Sequence, residues 1–334
     1  MSEAQSTDPL PKYLQENEIT QECLELIPTL PREKGWVASH LHQYQGFWHN
    51  TRQLQGVLSC QKHFQAHNTD IFIVTIPKSG TTWLKALTFS LLNRHKYPNI
   101  QQNHPLLTHN PHFLVPFLEL VLYQPKDRDF PPDLNSLPSP RLFSTHLPHV
   151  SLPKSIVDSS CKIVYLCRDP KDTFISMWYF TNRLRLENKG TNSLEEAFEK
   201  FCRGVSLCGP FWDHVLGYWK KSLEEPEKVM FLRFEDMKMK PACVLKELAR
   251  FLGCPFSEKE EGAGVVDEII KQCSFDELSN LEVNKKEKLS SGEEHKAFFR
   301  RGEVGDWKNH LTDEMVEQMN TITEKKLAED GLTF

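Results

Sequence analysis

One short segment of the chain combines the residue types that bind a phosphate or sulfate group. It follows an apolar run at 70–76, precedes a helical pattern, and reads Pro77-Lys78-Ser79-Gly80-Thr81-Thr82-Trp83. The free amide N–H groups and the positive dipole end of a helix N-terminus attract anions. Gly80 allows the backbone to approach an anion closely, Lys78 adds a mobile positive charge, and the two threonines add hydroxyl donors. The segment therefore predicts an anion-binding loop, the alternative being a capped turn with a solvated lysine.

The lysine of this segment precedes its glycine, so the G-x-x-x-x-G-K-[ST] spacing of a Walker A loop is absent. The letters PKSGTTW instead resemble the 5′-phosphosulfate loop of the cytosolic sulfotransferases. The resemblance runs from about Thr29 to the C-terminus. It implies 3′-phosphoadenosine-5′-phosphosulfate (PAPS) as donor, adenosine 3′,5′-bisphosphate as product and a hydroxyl of a small organic molecule as acceptor. It is strongest with plant members that act on flavonols, brassinosteroids or hydroxyjasmonate, and the motifs do not separate these acceptors.

Two further motifs resemble the parts of the family that hold the 3′-phosphate of PAPS. Arg168 and Ser176 stand in R-D-P-K-D-T-F-I-S with the family's spacing. An arginine at the end of a strand and a hydroxyl two turns into the next helix can converge on one phosphate. Near the C-terminus, F-R-R-G-E-V-G-D-W-K resembles the family's R-K-G-x-x-G-D-W, which assigns the same phosphate to Arg300, Arg301 and Gly302. Arg301 stands where the family commonly has lysine, so the charge is kept and the hydrogen-bond geometry changes.

His146 follows a strand-like run at 141–145 and aligns with the catalytic base in the family's T-H motif. An attacking hydroxyl must lose a proton, and imidazole has a pKa near the working pH, so a histidine suits this role. On the template of phosphoryl transfer, we assign Lys78 to the oxygen that bridges sulfur and the 5′-phosphate, and the amides of 79–82 to the phosphosulfate. The family also implies that Ser176 holds Lys78 away from that oxygen until the acceptor arrives. His149 lies close in the sequence but lacks the motif match.

The residues expected beside the adenine depart from the family pattern at two positions. The family has a tyrosine in a Y-E-D/E pattern, and here Phe234 keeps the ring for stacking but loses the hydroxyl. Trp83 is the second candidate for stacking on the adenine. Ser274 and Phe275 match a segment with further adenine contacts, although Cys273 precedes them where animal members often have threonine.

Short β-branched runs alternate with helical patterns along the chain. The runs 70–76 and 162–167 are nearly continuous in apolar residues, which is typical of strands buried on both faces of a parallel sheet. Further strands are predicted at 141–145 and 229–234. Helices are predicted at 81–94, from about 170 to 180, at 243–252 and at 312–326. This order predicts an α/β fold: a single domain with a mostly parallel central sheet flanked by helices, as in the P-loop-like nucleotide-binding fold of sulfotransferases. We expect a flexible polar tail at 1–25 and the domain at 26–334, which starts with helix and loop up to about Thr69. Long loops at 97–140 and 274–300 are candidate lids.

Composition and charge limit which partners and which cellular compartment are expected for this chain. The chain has 334 residues and a formal net charge of -5, so its overall field attracts neither nucleic acid nor an anionic membrane. The nine cysteines form no C-x-x-C pair, which favours reduced thiols. There is no signal-peptide pattern and no run of about 18 apolar residues. We therefore expect a cytoplasmic protein. The dimer motif of animal members has no counterpart in 308–320, which leaves the oligomeric state open.

The acceptor pocket and the competing functions are less sharply indicated. Eight aromatic side chains are candidates either for an apolar slot that binds the acceptor or for the ordinary core: Tyr44, Phe47, Trp48, Phe113, Phe117, Trp178, Tyr179 and Phe180.

A nucleotide-dependent small-molecule kinase would share the strand-loop-helix site but needs a Walker lysine. A catalytically weak protein that binds PAPS or its product is the other alternative. A Golgi carbohydrate sulfotransferase is disfavoured because no membrane anchor is evident, and no H-E-x-x-H or similar cluster predicts a metal.

Overall fold

The computed structural model describes residues 19–98, 100–124 and 131–334, together with Lys12 and Gln15. Within these residues the chain forms two sheets. The first is antiparallel, in the order β1-β2-β3, with β1 at Arg32–Lys34, β2 at His40–Tyr44 and β3 at Phe47–His49. The second is parallel, in the order β5-β4-β6-β7, with β4 at Ile71–Thr75, β5 at Leu142–Thr145, β6 at Lys162–Cys167 and β7 at Val229–Arg233.

Helices cover the parallel sheet and fill the connections. The α-helices of the described residues are α1 (Gln21–Leu26), α2 (Thr51–His63), α3 (Thr81–Asn93), α4 (Ile100–Asn103), α5 (Pro111–Leu114), α6 (Lys154–Asp158), α7 (Pro170–Leu184), α8 (Leu194–Cys202), α9 (Phe211–Glu224), α10 (Phe234–Met239), α11 (Pro241–Phe251), α12 (Glu258–Gly262), α13 (Val265–Gln272), α14 (Phe275–Asn280), α15 (Glu282–Lys286) and α16 (Asp313–Leu327). Single turns of 3₁₀-helix lie at Ile27–Thr29, Pro105–Leu107, His149–Ser151, Glu187–Lys189, His295–Phe298, Asp306–Asn309 and Ala328–Asp330, and a π-helix lies at Leu118–Leu122.

The parallel sheet is buried on both faces, which explains why its strands read as continuous apolar runs. In β4, Phe72 and Val74 pack into one cluster of core residues, while Ile73 between them packs into a second cluster on the other face. All three side chains are fully buried. Side chains alternate between the faces of a strand, so a strand covered on both sides needs an apolar residue at every position. The predicted α/β class with a parallel central sheet is confirmed.

The strand ends gather the predicted site residues at one edge of the sheet. Strand β4 is central and runs parallel to β5 and β6, so that Val74 pairs with Thr145 and Thr75 with Leu166. Each of the four strands is followed at its carboxyl end by a candidate site segment: the loop at 77–80, His146, Arg168 and Phe234. Ligands of open α/β sheets bind outside the carboxyl ends of the strands. The fold therefore brings together residues that are far apart in the sequence.

The structure corrects several boundaries predicted from the sequence. The region expected to be helix and loop up to about Thr69 contains α2 but also the antiparallel sheet at 32–49, and the helices α8, α9 and α13 were not predicted. The expected loop at 274–300 contains α14, α15 and a 3₁₀ turn, and the described part of 97–140 contains short helices as well. These helices are only four to six residues long, too short to show the period of 3.6 residues. Most of the predicted tail at 1–25 lies outside the described residues, and α1 begins within its last five.

Candidate active site

The anion-binding loop turns sharply between β4 and α3. Lys78 has φ +73°, and Gly80, the N-cap of α3, has φ +106°. A β-carbon at Gly80 would lie 2.7 Å from Cδ2 of Phe234, so the position needs glycine for space as well as for conformation. The first amides of α3 have no partner within the helix, as at any helix N-terminus. Ser79 is less accessible to an anion than the other loop residues. Its side chain is fully buried, and its amide donates to the carbonyl of Ile76 (3.3 Å).

Lys78 lies among aromatic rings and other cations. Its Nζ is 4.1 Å from the ring centroid of Phe180 and 5.5 Å from that of Phe298. Within the described residues it forms no ion pair with a carboxylate. Burial, together with the charges of the nearby Arg300, Arg168 and Arg183, lowers the pKa of Lys78 to about 7. A bound polyanion would reverse this effect, because a negative charge favours the protonated lysine.

His146 follows the end of β5, and its ring is held by the end of the neighbouring strand β4. Its Nδ1 lies 2.6 Å from the backbone oxygen of Thr75, so Nδ1 carries the proton and donates. The other ring nitrogen, Nε2, makes no hydrogen bond to the described residues and is left for the cavity that His146 lines. Burial lowers the pKa of His146 to about 3, with Lys85, His214 and Lys78 adding to the effect. The expectation of a pKa near the working pH was wrong for this structure, because the ring is buried next to cations.

Glu119 is a buried carboxylate that the sequence did not single out. It accepts hydrogen bonds from the backbone amide of His146 (2.8 Å) and from Oγ1 of Thr145 (2.8 Å). Burial raises its pKa, against the effect of these two hydrogen bonds. Glu119 lies in the π-helix that runs beside β5, and it fixes the backbone from which the His146 ring projects. No local pattern marks such a residue, since its partners are 26 and 27 positions away.

The predicted 3′-phosphate residues form a basic group tied together by two aspartates. Asp172 accepts the backbone amides of Gly305 (2.7 Å) and Trp307 (3.1 Å), which fastens the C-terminal loop to α7. Asp306 pairs with Arg300 and with Arg301, the latter at 2.8 Å. Arg168 pairs with Asp172 at 3.4 Å and bonds to the carbonyl of Glu303. The aspartates were not predicted, although they are what brings two distant motifs side by side.

Several donors in this group are buried and have no partner within the described residues. They are Nε of Arg168, Nε of Arg300 and Nε1 of Trp83. Buried polar groups in folded proteins are almost always hydrogen-bonded, so unpaired donors indicate a site for an acceptor-rich ligand. Together with the uncompensated Lys78, these donors fit an anionic nucleotide such as PAPS. No three His, Cys, Asp or Glu side chains of the described ranges are arranged to hold a metal ion.

The adenine-side candidates contact each other. The ring of Phe234 lies edge-to-face with that of Trp83, at a centroid distance of 5.5 Å, and 4.4 Å from the guanidinium of Arg168. Phe275 packs where a β-carbon of Gly302 would lie, 2.6 Å away. The Oγ of Ser274 caps α14 by accepting the amide of Glu277 (3.2 Å). Phe234 therefore packs against Trp83 and Arg168 and also lines the cavity.

One cavity of about 430 Å³ connects these groups. It is lined by every predicted site residue except the buried Ser79: Lys78, Gly80, Thr81, Thr82, Trp83, His146, Arg168, Ser176, Phe234, Ser274, Phe275, Arg300, Arg301 and Gly302. Of the eight aromatic residues proposed for an acceptor slot, only Phe117 and Phe180 line it. Phe113 is 69% exposed, and Phe47 and Trp48 are buried in the core. The remaining walls are mostly apolar and include Trp36, Leu41, Leu120, Val121, Leu184 and Phe298.

This arrangement agrees with comparisons to known proteins. Residues 68–331 match the family described as "Sulfotransferase domain". The chain belongs to the sulfotransferase family. It is 51% identical to "Cytosolic sulfotransferase 12" of Arabidopsis thaliana over 98% of this chain and 99% of that one. The predicted family and the predicted enzyme class, a PAPS-dependent sulfotransferase, are confirmed.

Solved structures of other sulfotransferases share the fold. A crystal structure of an Arabidopsis thaliana protein described as a "putative steroid sulphotransferase" superposes with a TM-score of 0.76 at 46% identity, covering 98% of this chain and 100% of that one. Mouse sulfotransferase SULT7A1, complexed with PAP, superposes with a TM-score of 0.66 at 27% identity, covering 86% and 94%. Across the described ranges, no helix of this sulfotransferase is long and apolar enough to cross a membrane.

Proposed function

We propose that this sulfotransferase moves the sulfuryl group of PAPS to a hydroxyl of a small, largely apolar acceptor, with His146 as general base. The observation that carries the proposal is the orientation of His146. Its Nδ1 is occupied by the carbonyl of Thr75, while its unpaired Nε2 belongs to the same cavity as Lys78. A neutral imidazole with a free lone pair beside the cation that faces the leaving group is what an in-line displacement needs.

The donor is held in two places. The amides at the start of α3, with Lys78 and the hydroxyls of Thr81 and Thr82, hold the 5′-phosphosulfate. Arg168, Ser176 and the Arg300–Gly302 loop hold the 3′-phosphate, and their unpaired guanidinium nitrogens support this assignment. The adenine lies against Trp83 and Phe234, with further contacts from Ser274 and Phe275. Ser79 shapes the loop instead of contacting the donor, because its side chain is buried beneath the loop and its amide donates to the carbonyl of Ile76.

The chemical step needs one proton transfer and one displacement. Nε2 of His146 accepts the proton of the acceptor hydroxyl while that oxygen bonds to sulfur. The bond between sulfur and the bridging oxygen breaks, and Lys78 stabilises the negative charge that develops on this oxygen. Adenosine 3′,5′-bisphosphate and the sulfated acceptor leave, and His146 returns its proton to water. The charge of the bound donor raises the pKa of both His146 and Lys78 from their values in the free protein, so that each is better suited to its role.

The acceptor is a ring-containing phenol or alcohol. The apolar walls formed by Trp36, Leu41, Phe117, Phe180 and Phe298 support this class. Flavonols, steroids including brassinosteroids, and hydroxyjasmonate all fall within it, and the solved structure at 46% identity carries the description "putative steroid sulphotransferase". The relatives are named cytosolic sulfotransferases, and we assign this chain to the same compartment.

The test is a panel of flavonols, steroids, phenols and hydroxy acids incubated with PAPS and followed by mass spectrometry. We expect at least one acceptor to gain a sulfuryl group, and the gain to disappear in His146→Ala. Binding of adenosine 3′,5′-bisphosphate with no transfer to any acceptor would instead favour the catalytically weak alternative. Transfer from labelled ATP with Mg²⁺, but not from labelled PAPS, would favour the kinase alternative.

A further inference from the structure

A buried polar chain lies beneath the phosphosulfate loop. It starts at Lys85, which is on α3 and fully buried. The Nζ of Lys85 lies 3.0 Å from Nδ1 of His112, and Nε2 of His112 lies 3.0 Å from Oγ1 of Thr82. Thr82 lines the cavity. The chain thus runs from the protein interior to the loop that receives the donor.

Lys85 is in an unusual position for a lysine. Within the described residues it forms no ion pair, and its Nζ lies 3.4 Å from the ring centroid of Phe117. The face of an aromatic ring is negative, so it attracts N–H groups and repels a lone pair. Burying an amine costs free energy unless the amine is hydrogen-bonded. Its one described hydrogen-bond partner is His112.

The position of the proton on His112 follows from these neighbours. Burial lowers the pKa of His112 well below its ordinary value, and the cations Lys85 and Lys78 lower it further, so the ring is neutral with a single proton. A protonated Lys85 has only N–H donors, and the ring face of Phe117 and the charge of Glu119 favour this form against the burial that lowers the pKa of Lys85. Nδ1 therefore accepts, and the proton lies on Nε2, which donates to Oγ1 of Thr82.

We infer that Lys85 and His112 are positioning residues that orient the hydroxyl of Thr82 for the donor. Because Oγ1 accepts a hydrogen bond from His112, the single proton of Thr82 must point elsewhere, and the open side is the cavity. The hydroxyl is then preset as a donor to an anionic oxygen rather than as an acceptor that would repel it. This inference rests on the proposed function, which puts the phosphosulfate at Thr82.

The ring packing of His112 explains why the histidine is held without freedom to flip. It stacks on Phe117, with centroids 5.6 Å apart and planes at 18°, and it contacts Phe298 at 4.4 Å. Its backbone amide donates to Oδ1 of Asn110 at 2.8 Å. Phenylalanine at position 112 would keep these ring contacts and remove both nitrogens, so His112→Phe isolates the hydrogen bonds.

A double-mutant cycle tests the inference. Thr82→Val should raise KM for PAPS about tenfold, as expected for a lost hydrogen bond to a charged group, and leave KM for the acceptor unchanged. His112→Phe should raise KM for PAPS in the unaltered chain, yet have an effect within about twofold in the Thr82→Val background. Lys85→Met should behave as His112→Phe does. Equal effects of His112→Phe in both backgrounds, or no effect in either, would overturn the inference that His112 orients Thr82 and would leave the proposed function intact. If Thr82→Val leaves KM for PAPS unchanged, the assignment of Thr82 to the phosphosulfate fails instead.

A second measurement uses the unaltered chain and so decides even if a variant fails to fold. ¹⁵N NMR of the histidine side chains, with His112 assigned by its contact with the Phe117 ring, reports which nitrogen is protonated. We expect an unprotonated Nδ1 and a protonated Nε2. The opposite tautomer would overturn the inference.

Discussion

Nδ1 of His146 donates to the backbone oxygen of Thr75 across 2.6 Å, and this contact joins the ends of β4 and β5. The same strand end, β4, leads directly into the loop that carries Lys78. The proposed base and the proposed leaving-group cation are therefore fixed to neighbouring strands, whose relative position is set by the sheet. Rigid elements hold catalytic geometry better than loops do. The tautomer that leaves Nε2 free is a consequence of main-chain geometry.

The first prediction concerns His146. His146→Ala should reduce kcat to background, since no other group takes the hydroxyl proton, and should leave the affinity for adenosine 3′,5′-bisphosphate within about twofold. Turnover and isothermal titration calorimetry measure the two effects. His149→Ala is the matched control, because His149 is nearby but is not part of the cavity wall, and its rate should be unchanged. A variant of His146 that keeps a rate within a few fold would mean that the base lies elsewhere.

Lys78 gives a prediction about pH. In the free protein its pKa is lowered to about 7, so it is largely uncharged at pH 8 and becomes protonated as the pH falls. A bound phosphate favours the protonated form, so binding of adenosine 3′,5′-bisphosphate should take up a proton near pH 8, and affinity should fall as the pH rises from 7 to 9. Calorimetry in buffers of different ionisation enthalpy counts the protons. Lys78→Met should abolish the uptake, and an identical uptake in that variant would show that another group titrates.

Lys78 should also contribute to the chemical step. Lys78→Met is expected to lower kcat by roughly 10²-fold or more, the cost of losing a preorganised group that stabilises developing charge. Lys34→Met, at an exposed lysine paired with Glu196, serves as the control for charge removal. An unchanged kcat in Lys78→Met would reject the assignment to the bridging oxygen.

Asp172 is predicted to act on donor binding at a distance. Asp172→Asn keeps the size of the side chain but weakens its bonds to the amides of Gly305 and Trp307, which fasten the Arg300–Gly302 loop. We expect KM for PAPS to rise about tenfold with kcat little changed, since charge-assisted hydrogen bonds are worth about 1.5–3 kcal/mol. Asp213→Asn, on the surface of α9 and paired with Lys326, should have no effect on either constant. A fall in kcat alone would contradict the role.

The donor half of the site could be predicted from the sequence because its residues belong to short local motifs at strand ends. Lys78, Arg168 and Phe234 each follow a β-branched run within three residues. The apolar run itself predicts the strand, and the parallel arrangement then puts the strand ends together. Each motif is therefore visible in the local sequence, and the fold brings the motifs together.

The acceptor half could not be predicted in the same way. Its walls come from the antiparallel sheet region, from the π-helix and from the segment near Phe298, and these meet only in the folded chain. Each of their residues reads as ordinary core, so most of the aromatic candidates chosen from the sequence lie elsewhere. The buried polar partners Glu119, His112 and Lys85 were missed for the same reason, since a hydrogen bond between distant positions leaves no periodic signal.

The last prediction separates steric from conformational demands on the loop. Gly80 and Gly264 are both N-caps with positive φ, at +106° and +78°. A β-carbon at Gly264 would meet nothing within 4 Å, whereas one at Gly80 would lie 2.7 Å from Phe234.

Gly264→Ala should therefore carry only the conformational cost, about 1–2 kcal/mol of unfolding free energy, and leave KM for PAPS unchanged. Gly80→Ala carries at least this cost, because its φ lies farther from the left-handed region, and it also displaces the Phe234 ring or the loop, so KM for PAPS should rise as well. Adding Phe234→Leu, which makes room for the new methyl group, should recover part of the lost stability in Gly80→Ala and none in Gly264→Ala. Thermal unfolding and steady-state kinetics on the four variants measure both effects, and equal behaviour of the two alanine variants would mean that the contact with Phe234 does not constrain the loop.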